Sequence, residues 1–376
     1  MNTTLQLHEA GQSVWYDNIQ RKLIKNGEMA RMIAQGEIRG VTSNPSIFMN
    51  AITKSTDYDD SLVPLSQRGM TAKDIYYQLA IEDIQAVADL FRPLYEQADG
   101  GDGYVSLEVS PYLAHDTLGT VDEAKALWKR VGRPNVMIKI PATKEGLPAI
   151  TAALAEGINI NVTLIFALER YAAVMDAHMT GLEKRVAAGL PINRIHSVAS
   201  FFVSRVDTNI DAQLQKIVNS HEAQAKTATE LQGKAAIANA CLAYAAFEAT
   251  LASDRYRKLA ASGANAQRPL WASTGTKNAK YSDVMYIEQL VAPQTVNTVP
   301  PATLSAFLNH GVVRADSLAV NLKTAAQTMA ELSTLGISMQ SVTQQLEDEG
   351  VKSFSDAFSA LLAGVEQRRT AVIGVA

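Results

Sequence analysis

The chain alternates between short apolar runs rich in β-branched residues and longer stretches whose apolar positions recur with the period of a helix. Runs of the first kind are typical of buried strands, and stretches of the second kind are typical of amphipathic helices. Strands are predicted at 13–19, 38–42, 104–111, 136–141, 158–166, 195–203, 268–273 and 295–299. Helices are predicted at 20–36, 71–93, 143–156, 167–188, 205–222, 229–262 and 281–290, and also after the turn 43–46 and from residue 120.

This alternation of elements indicates parallel strands joined by helical crossovers. Eight strand–helix units without a break in composition predict a single α/β domain over residues 1–376, a (β/α)8 TIM barrel. The alternative is an open doubly wound sheet, but no glycine-rich dinucleotide loop follows the first strand. Residues 315–376 are predicted to form additional C-terminal helices.

The C-terminal extension has an apolar face at helical spacing, formed by Phe354, Phe358, Leu361, Leu362 and Val365. Such a stripe is typical of a helix that packs on a core. We expect the extension to cover the barrel, and a partner-binding helix is the alternative. From the length and position of these helices we also expect them to close over the mouth of the pocket.

Composition narrows the classes of function. Of 376 residues, 47% are apolar and 19% are charged, which suits a sizeable core and not a disordered chain. The net charge of -4 gives no electrostatic reason to expect nucleic acid, so an anionic ligand needs a local cluster of cations. Cys241 is the only cysteine, so no intramolecular disulfide can form, in agreement with a cytoplasmic location.

Neither the first residues nor the most apolar stretch suggests a membrane partner. The start of the chain has no basic segment followed by a long apolar run, so we expect no secretory signal. The stretch 235–252 is nearly all apolar, but it is mostly alanine and contains Asn239 and Glu248. Polar groups are costly in lipid, so this stretch predicts a helix packed inside a globular protein instead of a membrane span.

Unusual polar residues lie within or just after seven of the predicted strands. In strand order they are Asp17, Asn44, Glu108, Lys139, Thr163, Ser200 and Ser273. One polar residue in a strand is ordinary, but the carboxyl ends of barrel strands meet at one face, where barrel enzymes place their chemistry. Seven residues at equivalent places would therefore converge on one pocket.

Lys139 stands out in this set because apolar residues surround it in the segment 136–141. Burial favours the neutral amine, and a neutral lysine in a dry pocket is a nucleophile that can form a Schiff base with a carbonyl substrate. The alternative is a lysine that extends to the surface or pairs with a carboxylate.

Four segments that contain these residues resemble the signature segments of the transaldolases. They read Val41-Thr-Ser-Asn-Pro-Ser-Ile-Phe, Val105-Ser-Leu-Glu-Val-Ser-Pro, Val136-Met-Ile-Lys-Ile-Pro-Ala-Thr and Ile158-Asn-Ile-Asn-Val-Thr-Leu-Ile-Phe. The resemblance covers residues 17 to about 277, with the motifs in the order of the family. It implies a Schiff-base barrel without metal or organic cofactor. The implied reaction moves a dihydroxyacetone unit between sugar phosphates in the non-oxidative pentose phosphate pathway.

The resemblance also implies a role for each catalytic position. Lys139 would be the Schiff-base nucleophile, and Glu108 would be the acid/base for carbinolamine dehydration, acting through a water that Thr163 helps to hold. Asp17 would take the proton from the sugar C4 hydroxyl. The alternatives are a simple salt bridge from Glu108 to Lys139, and a helix cap or turn at Asp17.

Substrate binding is implied at five further positions. Asn44 and Ser200 would hydrogen-bond the hydroxyls of the dihydroxyacetone unit, although Asn44 before Pro45 also suits a turn. Arg205 would hold the phosphate with bidentate donors, and a solvated charge is the alternative. Ser273 matches the family after strand seven, but the arginine expected two positions later is missing. Lys277 would take its place by reaching back over Gly275.

We expect no metal site, because the histidines have no metal-like spacing; they are His8, His115, His178, His196, His221 and His310. Three functions are carried forward: a transaldolase, a fructose 6-phosphate aldolase-like lyase that releases free dihydroxyacetone, and a non-catalytic barrel. Glu108 favours transfer over the lyase, and the set of Lys139, Glu108 and Asp17 argues against a non-catalytic barrel. The sequence leaves the choice between monomer and homodimer open.

Overall fold

Eight parallel strands close into a barrel in chain order, with β8 paired to β1. The structure is a computed structural model that describes residues 2–220 and 222–374. The strands are β1 (Gln12–Tyr16), β2 (Gly40–Val41), β3 (Tyr104–Glu108), β4 (Val136–Pro141), β5 (Ile160–Ile165), β6 (Ser197–Phe202), β7 (Gln267–Ala272) and β8 (Thr295–Val299). The predicted (β/α)8 TIM barrel is therefore confirmed.

Helices surround the barrel and account for most of the remaining chain. Through the first half they are α1 (Thr3–Glu9), α2 (Arg21–Lys25), α3 (Glu28–Ala34), α4 (Pro45–Thr53), α5 (Asp59–Gln67), α6 (Ala72–Gln97), the 3₁₀ turn Pro111–Leu113, α7 (Thr117–Val131), α8 (Gly146–Ala155) and α9 (Leu168–Ala187). Through the second half they are α10 (Ser204–Ser220), α11 (Glu222–Leu231), α12 (Ala235–Leu251), α13 (Asp254–Ala261), α14 (Met285–Gln289), α15 (Pro301–His310), α16 (Ser317–Thr334) and α17 (Met339–Gly374).

The register of the central strands brings polar side chains together inside the barrel. Glu108 of β3 pairs with Lys139 of β4, and Lys139 pairs in turn with Asn161 of β5. Residues paired in this way lie on the same face of a sheet, because side chains alternate along each strand. β4 and β5 are buried at every position, as expected for parallel strands covered on both faces.

Two predicted helical stretches are divided into shorter helices, because a glycine or a new N-cap interrupts each of them. The stretch 20–36 forms two helices, separated at Gly27, whose φ of 81° is left-handed. The stretch 229–262 is divided among α11, α12 and α13, with a break at Gly233 (φ 72°) and a new N-cap at Ser253. Glycine adopts positive φ readily and ends helices for that reason.

Two helix ends also differ from the prediction. Helix α7 begins at Thr117 and is capped by Asp116, whose carboxylate accepts from Gly119 N at 3.0 Å; the predicted start at Thr120 is wrong. Helix α6 continues through Pro93 to Gln97, although its end was predicted near the proline. A proline in the last turn removes only one backbone hydrogen bond, so the helix can pass it.

Helix α17 lies against the carboxyl end of the barrel. Glu347 near its start forms a 3.3 Å ion pair with Arg170 of α9, and Arg368 near its end donates to Ser55 O at 2.9 Å. Of the apolar face predicted from the sequence, Phe358, Leu361 and Val365 are buried, and the other two members are partly buried. The face is therefore directed towards the protein.

Within residues 2–220 and 222–374, no single helix is both long and apolar enough to cross a membrane. By length and composition the pair α12 and α13 passes such a test together, with a bend of 63° between them. Helix α12 packs with Asn239 and five of its eight alanines buried, and Asn239 donates to Phe166 O at 2.8 Å.

A buried ionic cluster closes the amino end of the barrel around Asp102. Its carboxylate accepts from Ser13 Oγ at 2.5 Å, Trp15 Nε1 at 2.9 Å and Arg39 Nε at 2.7 Å. Arg268 Nη1 lies 3.8 Å away. Ser13, Trp15 and Arg39 therefore share one buried acceptor.

We expect Asp102→Ala to lower the free energy of unfolding by about 3–5 kcal/mol, because it leaves the partly buried charge of Arg39 and the buried donors of Ser13 and Trp15 without this partner. Urea denaturation measures the change. Asp89→Ala removes an exposed carboxylate paired with Arg133 and should cost less than about 1 kcal/mol. Equal losses in the two variants would contradict this account.

Candidate active site

Lys139 and Glu108 form a buried ion pair at the carboxyl end of the barrel. Lys139 Nζ lies 2.5 Å from Glu108 Oε1 and donates to Ser43 O at 2.9 Å. The two residues are only 6% and 8% exposed. Burial raises the pKa of Glu108, and the neighbouring Lys139 cation opposes that rise. The carboxyl group is therefore a better proton acceptor than an exposed glutamate, at hydrogen-bond distance from the amine.

A small cavity adjoins this pair. It measures about 20 Å³ and is lined by Glu108, Lys139 and Thr163, among others. Thr163 Oγ1 is buried without a hydrogen-bond partner among the residues that the structure describes. A cavity needs roughly 10–15 Å³ to hold one water, and a buried hydroxyl normally has a partner. The cavity has room for one water between these groups.

Asp17 lies just after β1, on the same side of the barrel. Thr42 Oγ1 donates to Asp17 Oδ1 at 2.7 Å and lies 2.6 Å from Thr298 Oγ1. Burial raises the pKa of Asp17, while Lys139, the Thr42 hydrogen bond and Lys277 act in the opposite direction. Asp17 is close enough to Lys139 to interact with it, as the predicted convergence requires.

The two residues predicted to hold substrate hydroxyls have different hydrogen-bond partners: a backbone amide for Asn44 and a side chain for Ser200. Asn44 caps α4, since its side-chain oxygen accepts from Ile47 N at 3.0 Å; the alternative suggested by the sequence at this position was a turn. Ser200 Oγ donates to Asn161 Oδ1 at 2.7 Å, and Asn161 Nδ2 donates to Ser106 Oγ at 3.0 Å. A polar chain thus crosses the barrel interior.

Asn161 and Ser106 are also members of this polar chain, and neither was predicted from the sequence. Asn161 lies two positions before Thr163, and Ser106 two positions before Glu108, so each shares an inward face with a candidate catalytic residue. That alternation was the signal that would have identified them. Ser43 was also missed, and it was not detectable, because its contact with Lys139 is made by the backbone carbonyl.

The three candidate phosphate ligands lie at neighbouring strand ends. Arg205 is partly buried at the start of α10, with its guanidinium 5.5 Å from the Phe202 ring, and burial lowers its pKa. Ser273 follows β7 with φ 55°, and its Oγ lies 3.0 Å from Ser204 Oγ. Lys277 is exposed, and a Cβ at Gly275 would lie 3.8 Å from Lys277 Nζ, so the lysine does fold back over this glycine.

In the parts of the chain covered by the structure, no group of three or more histidine, cysteine or acidic side chains could hold a metal ion. His178 and His196 are buried, and burial lowers the pKa of each to about 4. His221 lies outside the described residues.

A closed barrel with a buried lysine–carboxylate pair at the carboxyl ends of its strands belongs to the class of (β/α)8 barrel enzymes.

The family model described as Transaldolase/Fructose-6-phosphate aldolase matches residues 14–365. The chain is 51% identical to a protein of Thermobifida fusca named Transaldolase, over 97% of this chain and 98% of that one. It is 50% identical to the Transaldolase of Saccharopolyspora erythraea, over 98% of each chain. Transaldolase 1 of Streptomyces coelicolor is also 50% identical, over 96% of this chain and 93% of that protein. The chain belongs to the transaldolase and fructose-6-phosphate aldolase family.

We expect Thr42→Val to raise the pKa of Asp17 further, because the lost hydrogen bond stabilises the ionised carboxylate. Carbon-13 NMR titration of the carboxyl groups measures this shift. The matched control is Thr151→Val, since Thr151 donates to Ala177 O in the outer helical layer. A pKa of Asp17 that is unchanged or lowered in Thr42→Val would show that the hydroxyl does not control this carboxylate.

Proposed function

We propose that this protein is a transaldolase that transfers a dihydroxyacetone unit through a Schiff base on Lys139. The substrates are sugar phosphates: sedoheptulose 7-phosphate and glyceraldehyde 3-phosphate are converted reversibly to erythrose 4-phosphate and fructose 6-phosphate. This reaction belongs to the non-oxidative pentose phosphate pathway. The observation that carries the proposal is the buried contact of Lys139 with Glu108 beside a cavity with room for one water.

The first half of the reaction needs a neutral amine and the loss of a water. Glu108, 2.5 Å from Lys139 Nζ, takes the proton that the amine must lose before it attacks the ketone carbon. Glu108 then acts as the acid that dehydrates the carbinolamine, through a water held against the Thr163 hydroxyl. The resulting protonated imine is an electron sink for cleavage of the carbon–carbon bond.

Cleavage requires a base on the C4 hydroxyl of the sugar. Asp17 has this role, and the hydrogen bond from Thr42 orients its carboxylate. Asn44 and Ser200 hold the hydroxyls of the three-carbon unit. The amide nitrogen of Asn44 is available for this task, because its cap bond uses only the side-chain oxygen.

The substrate phosphate binds Arg205, Ser273 and Lys277. Arg205 offers planar bidentate donors, and its partial burial makes an anionic partner favourable. Two aspartates fix the surrounding scaffold: Asp207 accepts from Tyr286 Oη at 2.8 Å, and Asp211 accepts from Tyr281 Oη at 2.7 Å. These bonds tie α10, which carries Arg205, to the segment after Lys277.

A fructose 6-phosphate aldolase-like lyase is the second candidate, because the matching family model includes that activity in its description. Such an enzyme would release dihydroxyacetone without an acceptor. We further propose that the chain acts as one domain in the cytoplasm, a location supported by its single, buried and free Cys241.

Borohydride reduction in the presence of fructose 6-phosphate should add a reduced three-carbon unit to Lys139, as detected by peptide mass mapping. Lys139→Ala should abolish both labelling and turnover, because it removes the nucleophile. The exposed neighbour Lys144, changed to alanine, is the matched control and should leave both intact. No adduct on Lys139 would overturn the Schiff-base mechanism. Turnover to free dihydroxyacetone without erythrose 4-phosphate would identify the lyase.

Arg205→Ala should raise the KM for glyceraldehyde 3-phosphate at least about tenfold, since a charge-assisted hydrogen bond is worth roughly 1.5–3 kcal/mol. With the donor sugar phosphate at a saturating concentration, the KM for unphosphorylated glyceraldehyde as acceptor should hardly change, because that acceptor has no phosphate to bind. Arg255→Ala removes an arginine of similar partial exposure from the outer helical layer and serves as control. Equal losses with both acceptors would contradict a phosphate-binding role.

A further inference from the structure

The wall of the small cavity beside Lys139 is completed by the C-terminal helix. Val351 and Phe354 of α17 line this cavity together with Glu108 and Thr163. Phe354 is only partly buried, and Lys352 and Ser353 in the same turn are exposed. The barrier between the cavity and solvent at this point is therefore about one side chain thick.

The position of this wall is determined by tight packing on both sides of Phe354. A Cβ at Gly350 would lie 2.9 Å from Leu164 Cδ2, so the absence of a side chain at Gly350 lets α17 pack on Leu164 without displacing that side chain. Leu164 has φ 60° at an irregularity in the register of β5, and it lines the cavity beside Thr163. One turn after Phe354, the Phe358 ring packs 5.5 Å from Tyr76 and 5.3 Å from Tyr112.

We propose that Phe354 determines whether the three-carbon intermediate is transferred or lost to water. This inference rests on the transaldolase function proposed above. A cavity of about 20 Å³ holds the one water that carbinolamine dehydration needs and excludes a second. Phe354 separates that water from bulk solvent, which makes it a specificity-determining residue although it takes no part in the chemical steps.

The competing reaction needs only water. After the carbon–carbon bond breaks, the intermediate is an enamine attached to Lys139 Nζ. A second water, beyond the one held against Thr163, converts it to free dihydroxyacetone. One proton of that water adds to the enamine carbon, its oxygen becomes the carbonyl oxygen as the carbon–nitrogen bond breaks, and its second proton goes to the amine. Transfer instead forms a carbon–carbon bond to the acceptor aldehyde. The ratio of the two outcomes depends on how much water reaches the enamine.

Phe354→Ala should therefore raise the rate of dihydroxyacetone release from fructose 6-phosphate without acceptor, relative to the transfer rate, at least about tenfold, or ~1.4 kcal/mol in relative barrier. A coupled assay for dihydroxyacetone measures release, and erythrose 4-phosphate as acceptor measures transfer. Phe354→Leu keeps most of the wall and should stay near the wild-type ratio. Leu362→Ala truncates a partly buried residue of the same helix away from the cavity and controls for loosening of α17.

The pH profile gives an independent readout. Glu108 is faced by Lys139 of β4, Asp17 after β1 and Tyr76 of α6, and none of these changes in the variant. Removing the wall hydrates Glu108 and reverses part of the rise that burial causes in its pKa. In the pH–rate profile, the limb that reflects ionisation of Glu108 should therefore move to lower pH in Phe354→Ala. It should stay in place in Leu362→Ala.

An unchanged ratio of release to transfer and an unchanged pH limb in Phe354→Ala would overturn the inference. If that variant fails to fold, Val351→Ala opens the same cavity with a smaller change and should shift the ratio in the same direction. Borohydride labelling of wild-type Lys139 distinguishes a failure of the proposed transaldolase function from a failure of the proposed role of Phe354. Without labelling the proposed function itself fails, whereas labelling with an unchanged ratio rejects only the role of Phe354.

Discussion

The buried contact between Lys139 and Glu108 is the interaction on which the rest of the site depends. Taking an ammonium and a carboxylate out of water costs several kcal/mol per ion in a real protein. Their separation of 2.5 Å and the carbonyl of Ser43 offset part of that cost. Removing either partner would leave an unpaired buried charge. The barrel therefore has to present two adjacent strands in the register that joins these two side chains.

Buried polar groups at the two ends of the barrel differ in their hydrogen bonds. At the amino end, Asp102 accepts from three donors, which is the pattern of a group that stabilises the fold. At the carboxyl end, the Thr163 hydroxyl faces a cavity with no partner among the described residues. A buried polar group without a partner is costly, and this one lies beside the ion pair, at the end of the barrel where barrel enzymes place their chemistry.

Helix α17 connects this site to the outer layers of the molecule. It is bound to α9 through Glu347 and to the α4–α5 region through Arg368, and between these points it forms one side of the cavity. The absence of a side chain at Gly350 leaves room there for the end of the Leu164 side chain. One wall of the candidate site therefore comes from a helix more than 180 residues beyond the lysine strand.

The repeated order of strand and helix determined the barrel, because alternating units allow few topologies and burial on both faces requires apolar strands. The strands were predictable within a few residues. Helix ends were less so, because Gly27, Gly233 and Asp116 exert their effects through single backbone angles or cap bonds. Candidate site residues were predictable where a polar side chain interrupts an apolar run, as at Lys139 and Glu108.

The sequence by itself determined the fold class, the family and the ring of polar positions, since these follow from periodicity and local motifs. Only the tertiary structure decided which partners those positions have. The backbone carbonyl of Ser43, the chain from Ser200 through Asn161 to Ser106, and the wall at Phe354 all join segments far apart in the chain. Contacts of this kind depend on register and on packing in three dimensions, and no local pattern in the sequence encodes them.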